Sequence, residues 1–283
     1  MKTILVPTDF SEQARHALSF AAQIAHKGEG AKIVILHIIE GLGEHSFNTT
    51  GEVETGTGEE VIILNELNKR AHAAMQALIN EKEFENLDME GLVEFGNPYK
   101  GISKEIARCG ADLVVMGTKG SSGLEEVLIG SNTEKVVRYS KCPVITLKAP
   151  IAFDEIKNIV LATNLKEDQT RMIGELKKLQ ALTGATLHLV KVNTPNHFNT
   201  NRQVEEEFEK FVTEHQLTDY TTNIYNDATE EDGILFFADK MHACLIAIGT
   251  HGRTGLLHLL SGSIAEDLVN HSHIPVLTLS MKK

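Results

Sequence analysis

Residues 111–149 read ADLVVMGTKGSSGLEEVLIGSNTEKVVRYSKCPVITLKA, and residues 243–281 read ACLIAIGTHGRTGLLHLLSGSIAEDLVNHSHIPVLTLSM. Laid together without a gap, about 17 of the 39 positions are identical, more than chance supplies in so short a window. The starts match as well: Lys2 to Asp9 (KTILVPTD) parallels Lys157 to Asn164 (KNIVLATN). The chain is therefore one unit written twice, and its 283 residues suit two domains of ordinary size, expected over 1–149 and 155–283. Pro150 at the junction Ala149 to Phe153 suits a linker.

Working outward from the repeat, apolar runs alternate with longer amphipathic segments. Strands are expected over 3–6, 33–39, 91–95, 113–116 and 144–147, and again over 159–162, 186–192, 222–225, 245–248 and 276–279. Most are unbroken runs of Val, Ile and Leu, the pattern of strands buried on both faces of a parallel sheet. Between them Ala14, Leu18, Ala21, Ala22 and Ala25 recur at helical spacing, as do Leu64, Leu67, Ala71, Ala74, Met75 and Leu78. The order β-α-β-α-β predicts two tandem doubly wound parallel-sheet α/β domains with right-handed crossovers. The polar stretch from Gly41 to Gly58 has nothing to bury and reads as a surface loop or a lid, and the second half is shorter there.

Composition narrows the function. A formal net charge of -12 argues against a nucleic-acid partner and against an anionic membrane surface. It leaves room for a small anion, which backbone N–H groups at a helix start hold without side-chain charge. No stretch has the apolar length to cross a bilayer, and the N-terminal run stops too early for a signal peptide, so a cytoplasmic protein is expected. Cys109, Cys142 and Cys244 form no C-x-x-C pair and read as small apolar residues rather than a redox pair.

In an open parallel sheet ligands bind beyond the carboxyl ends of the strands, where strand order reverses. There the first half carries Gly117-Thr118-Lys119-Gly120, nine residues, then Gly130-Ser131, and the second half Gly249-Thr250-His251-Gly252, nine residues, then Gly262-Ser263. Glycines allow a ligand near the backbone and a turn of positive φ, and the Gly-Ser at a helix start offers free N–H groups to a phosphate. Ser131 with Glu134, Ser263 with Glu266 and Asp9 with Glu12 also spell capping boxes, which need no ligand. Capping does not explain the upstream glycine pair in both copies.

This spaced G-x-x-G, nine residues, G-S pattern resembles the nucleotide signature of the ATP-binding universal stress proteins. Val6-Pro7-Thr8-Asp9-Phe10-Ser11 and Leu36-His37-Ile38 look like that family too. The resemblance implies a Rossmann-like fold of the adenine nucleotide alpha hydrolase type. Carried over by position, it implies that Met116, Gly117, Gly120, Gly130, Ser131, Asn132 and Thr133 hold ribose and phosphates, and that Pro7, Thr8, Asp9 and Ile38 line the adenosine end. The second-half positions are Ile248, Gly249, Gly252, Gly262, Ser263, Ile264 and Ala265, with Ala162, Thr163, Asn164 and Val192, while Arg253 and His251 add positive charge near the phosphates. Asn164 in place of Asp9 loses the charge, and Ala162 in place of Pro7 loosens the turn.

No Walker A lysine motif and no G-x-G-x-x-G follows the first strand, and no Ser-His-Asp or Cys-His set stands out. His271 and His273 read as surface residues at a helix end. No catalytic or metal-ligating residue is assigned. The expected ligand is ATP or AMP, with Mg²⁺ as a companion of the triphosphate rather than a protein-held metal. A nucleotide-free scaffold and a slow ATP hydrolase are the alternatives. The apolar strands 143–147 and 275–279 end each domain at a sheet edge that needs covering, which predicts that the halves pair as a pseudo-dimer within one chain and leaves a homodimer of whole chains open.

Overall fold

A computed structural model describes residues 1–28, 30–40, 58–118, 129–250 and 264–281. The first half contains β1 (Thr3–Pro7), α1 (Glu12–Lys27), β2 (Lys32–Ile39), α2 (Gly58–Ile79), β3 (Met89–Phe95), α3 (Pro98–Cys109), β4 (Leu113–Gly117), α4 (Ser131–Tyr139) and β5 (Val144–Leu147). The second repeats the order as β6 (Asn158–Ala162), α5 (Thr170–Thr183), β7 (Thr186–Asn193), α6 (Asn201–His215), β8 (Tyr220–Asn226), α7 (Glu230–Lys240), β9 (Leu245–Thr250), α8 (Ile264–His271) and β10 (Val276–Ser280). Within each half every strand pair is parallel, so the doubly wound α/β class holds.

The strands form one ten-stranded sheet in the order β3-β2-β1-β4-β5-β10-β9-β6-β7-β8. Its centre is the antiparallel pair β5–β10, with Leu277 opposite Ile145 and the flanking pairs Val276–Thr146 and Thr278–Val144. Thr146 Oγ1 donates to Val276 O at 3.3 Å and Thr278 Oγ1 to Val144 O at 3.5 Å, a reciprocal exchange about the Leu277–Ile145 pair. The outer edges are β3 and β8, whose residues are mostly half-buried or exposed.

Successive strand residues face opposite sides. Ile4 and Val6 point to one core with α1, and Leu5 points to the other with α3 and α4. The first core runs through both halves and includes Ile145, Leu147, Leu277 and Leu279 from the central strands. The junction belongs to this core rather than dangling: Phe153 is 1% exposed, its ring meets Phe20 edge-on at 5.7 Å, and its N–H donates to Gln23 Oε1 at 2.7 Å. Lys27 and Asp154 pair beside it.

Three sequence expectations change. Leu67 sits at helical spacing with the buried Leu64, Ala71 and Met75 of α2 yet is 42% exposed, at the margin of the face on which Met75 and Ile79 close over Gly91. Strands β3 and β8 begin two residues before the expected starts, at Met89 and Tyr220, since Met89-Glu90 and Tyr220-Thr221, on edge strands, form no continuous apolar run. Cys142 is buried, whereas Cys109 and Cys244 are only half-buried. The stretch 41–57 lies outside the described residues.

Candidate functional site

The carboxyl ends of β1 and β6 lead into the same turn. Thr8 Oγ1 accepts from Phe10 N at 3.0 Å and Asp9 Oδ1 from Ser11 N at 3.0 Å. In the second half Thr163 Oγ1 accepts from Leu165 N and Asn164 Oδ1 from Lys166 N, both at 3.0 Å. These side chains fold the backbone so sharply that Phe10 and Leu165 take φ of 62° and 61°. Bulky residues rarely adopt that region, and such strain concentrates at ligand sites. The turn points Asp9 and Asn164 to the strand ends. Asp9 is not the helix cap that Asp9-x-x-Glu12 suggested, because Ser11 caps α1 by accepting from Ala14 N.

Past each turn a cleft opens. In the first half it measures about 380 Å³ and is lined by Pro7, Thr8, Asp9, Ile38, Met116 and Gly117, and by Gly130, Ser131, Asn132 and Thr133. In the second it measures about 430 Å³ and is lined by Ala162, Thr163, Asn164, Val192, Ile248, Gly249, Ile264 and Ala265. The folding chain thus brings together every described residue singled out in sequence. Gly120, Gly252, Arg253, Gly262 and Ser263, with Lys119 and His251, lie outside the described residues.

One wall of the first cleft is the start of α4. Gly130 is its N-cap, with no side-chain capping bond, so the Ser131–Glu134 capping box does not form. Glu134 N is the first to donate within the helix, to Gly130 O at 3.0 Å. The N–H groups of Ser131, Asn132 and Thr133 therefore have no acceptor inside the helix, and the helix end carries partial positive charge. Thr133 Oγ1 donates to Gly117 O and Gly130 N to Thr118 O, which fastens the helix start to the end of β4. Gly130 has an ordinary φ of -61°, and a Cβ there would find nothing among the described residues closer than Thr118 O at 3.8 Å. Neither backbone conformation nor packing against them demands glycine at this wall. The buried hydroxyls of Thr118 and Thr250, just after the strand-end glycines, have no hydrogen-bond partner among the described residues.

Gly117 has a different reason. A Cβ on it would lie 3.0 Å from backbone and side-chain atoms of Gln13, so its bareness admits the start of α1. Among the described residues, the atoms nearest a Cβ on Gly249 belong to the flexible side chain of Met281. The difference comes from the helix starts. Lys166 stands where the first half has the cap Ser11, and α5 begins at Thr170 rather than at the counterpart of Glu12. The segment 165–169 stays non-helical, and Glu167 and Gln169 line the second cleft. Sequence reading passed over both; a polar Gln169 opposite the small Ala14 of the other repeat was the available signal. Asn164 Nδ2 donates to Glu167 Oε1 at 2.8 Å. The side of each cleft is set alike: Ile38 packs under Gly101 of α3 and Val192 under Gly233 of α7.

The second cleft has further polar walls. Lys191 pairs with Glu207 of α6 at 2.6 Å, and His197, in the β7–α6 connection, pairs with Glu230 of α7 at 3.2 Å. The two clefts are also joined through α8: Asn270 Oδ1 accepts from Ile129 N at 2.9 Å, immediately before Gly130, and Glu266 lies 3.4 Å from Arg138 of α4. His271 pairs with Glu231 and the exposed His273 with Asp239, far from metal-ligand grouping. Among the described residues, no group of three or more His, Cys, Asp or Glu side chains could hold a metal ion, and no helix is long and apolar enough to cross a membrane.

Paired clefts at the strand ends of the two doubly wound halves of the sheet, each with a glycine-bearing strand end and a helix start, define the class: a tandem of α/β domains, each with a strand-end crevice. A family model described as the universal stress protein family matches residues 1–148 and again 155–280, and the chain belongs to that family. Universal stress protein MJ0577 of Methanocaldococcus jannaschii is 30% identical over 159 residues, spanning 52% of this chain and 94% of the relative. A putative universal stress protein of Staphylococcus aureus is 29% identical over 171 residues, covering 59% of this chain and 95% of its own length. Among solved structures, a universal stress protein from Archaeoglobus fulgidus superposes over 99% of this chain and 98% of its own, with a TM-score of 0.76 at 20% identity, a likeness of fold.

Proposed function

We propose that each half binds an adenine nucleotide, ATP or AMP, and that the chain is a sensor or signalling module of stress physiology, with nucleotide occupancy altering its shape or partners. One observation carries this reading: the same cleft occurs twice, each beside a strained strand-end turn and a helix start. The free N–H groups of Ser131, Asn132 and Thr133 suit phosphates. Pro7, Thr8, Asp9 and Ile38 suit the nucleoside, as do Ala162, Thr163, Asn164 and Val192. The choice of adenine rests on the glycine signature, and the stress role on the family. The units 1–149 and 155–283 act as a pseudo-dimer within one chain, supported by the β5–β10 pairing, in the cytoplasm. Hydrolysis needs a water held in line and a group to orient it. No described residue of either cleft is assigned that task, so turnover is absent or slow, and Mg²⁺ travels with the triphosphate.

Native mass spectrometry of gently purified protein tests the reading. About one or two adenine nucleotides per chain are expected, with fewer in Gly130→Val, whose β-branched side chain crowds the phosphate wall. Protein that carries none, and whose melting temperature is unmoved by millimolar ATP, is a scaffold instead.

A further inference from the structure

We propose that the outer edge of β8 is a docking site for an extended, basic segment of another protein, which joins the sheet as an added strand. β8 ends the sheet and pairs only with β7 among the described residues. Leu187 N donates to Asp219 O at 2.9 Å, and Asp227 N to Asn193 O at 3.1 Å. Alternate residues of a strand face the same neighbour, so the odd-numbered residues from Asp219 to Asp227 turn their backbone groups to β7. Tyr220, Thr222, Ile224 and Asn226 then present their N–H and C=O groups outward, as a row of donors and acceptors.

Proteins blunt such an edge with charge, proline or a covering element. The opposite edge, β3, is blunted: Glu90 pairs with Lys32 and Arg108, Glu94 pairs with Lys104, and Met75 and Ile79 of α2 close over Gly91. β8 reads YTTNIYN, with no charge, proline or glycine, and its first three residues are exposed. Thr, Tyr and Ile favour strand, so the edge keeps the extended form that a partner strand needs. Charge surrounds it instead. Residues 201–240, which hold α6, β8 and α7, carry eleven acidic and three basic side chains, a net -8 within the chain's -12. Lys191 offsets one of these acids, Glu207. Asp219 and Asp227 flank the two ends of the strand, and Glu205, Glu206 and Glu209 of α6 are exposed. A second copy pairing antiparallel on β8 would set Asp219 toward Asp227 and one acidic flank toward another, and like charges oppose association. A strand with basic ends meets the same flanks as opposite charge. The occupant is therefore a cationic strand rather than this chain again.

The test uses the full chain and a fluorescein-labelled peptide, KRTVTVTKR, with KRTPPVTKR as its control, since adjacent prolines block both edges of a strand. The first should bind, more weakly as salt rises, and the control about tenfold or more weakly. At a peptide concentration about ten times its Kd, the amides of Tyr220, Thr222, Ile224 and Asn226 should exchange about tenfold more slowly, and those of Thr221, Asn223 and Tyr225 should change less. Thr222→Pro removes an outward donor and no bond to β7, so the chain should stay folded and lose the peptide, whereas Asn223→Pro breaks the ladder and should lower the melting temperature. No binding, equal binding of the control, unchanged exchange at the four outward amides, or a folded Thr222→Pro chain that keeps the peptide would each overturn the inference. So would a wild-type chain that sediments as a dimer and becomes monomeric with Thr222→Pro, because a second copy then holds the edge.

Discussion

The glycines that seat the cleft walls make an asymmetric prediction. A Cβ on Gly233 would lie 2.5 Å from Val192 Cγ1, 3.0 Å from Cγ2 and 3.1 Å from Asp227 Cβ. Valine is stiff about χ1, so turning one methyl away swings the other in, and α7 itself must shift. Overpacking of that kind costs about 1–3 kcal/mol. Replacing a mid-helix glycine by alanine returns about 1 kcal/mol. Gly233→Ala should therefore destabilise by up to about 2 kcal/mol. Gly101→Ala differs: its Cβ would meet Ile38 Cδ1 at 2.4 Å, the free end of a longer side chain. A χ2 adjustment costs about 1 kcal/mol, which the helix gain offsets. At about 2–4 °C per kcal/mol for a chain of this size, Gly233→Ala should lower the melting temperature by up to about 4–8 °C, while Gly101→Ala stays within about 2 °C. Nucleotide binding in the second cleft should weaken with Gly233→Ala. Equal shifts in the two variants, or a more stable Gly233→Ala, would refute the account of helix against strand.

Phe153→Ala should cost about 3–5 kcal/mol because the ring is fully packed on Phe20, and the melting point should fall by roughly ten degrees. Asn270→Ala should cost about 1–2 kcal/mol by stripping Ile129 N–H of its acceptor, and native mass spectra should show the first cleft emptied in preference to the second. Burial pushes the His188 imidazole below its ordinary value of 6.5, so folding favours its neutral form. Its contribution is present above that value and is lost as pH falls below it; melts at pH 7.5 and 5.5 should show a loss that His188→Asn reduces.

The fold was legible because strands buried on both faces advertise themselves as unbroken apolar runs, as in Ile33 to Leu36 and Leu245 to Ile248. Edge strands gave a weaker signal, since Tyr220 to Thr222 face solvent and follow no apolar pattern. The places of the clefts were legible through the strand ends, where Gly117, Gly130 and Gly249 of the repeated glycine spacing line the cavities. Ser131 misled as a cap because capping boxes are read from residue types, whereas the helix start depends on one residue of register, which fell on Gly130. Gly117 was expected beside a ligand and does line the cleft, but its lack of a side chain has a second reason that sequence did not give, the approach of α1 at Gln13. Glu167 and Gln169 escaped notice because their meaning depends on where α5 begins, and that follows from the absence of a serine at Lys166.

The short stretch between Leu147 and Asn158 has a consequence for how the two clefts change over generations and over dilution. Two separate copies meeting along such strands would find each other only at sufficient abundance, and any altered residue would appear on both sides at once. Here the tether keeps the partner's local concentration at about the millimolar scale however scarce the chain becomes. Each half also mutates alone, so one cleft keeps Asp9 and Ala14 while its neighbour carries Asn164 and Gln169. Fusion converts an obligatory symmetry into a licence for division of labour.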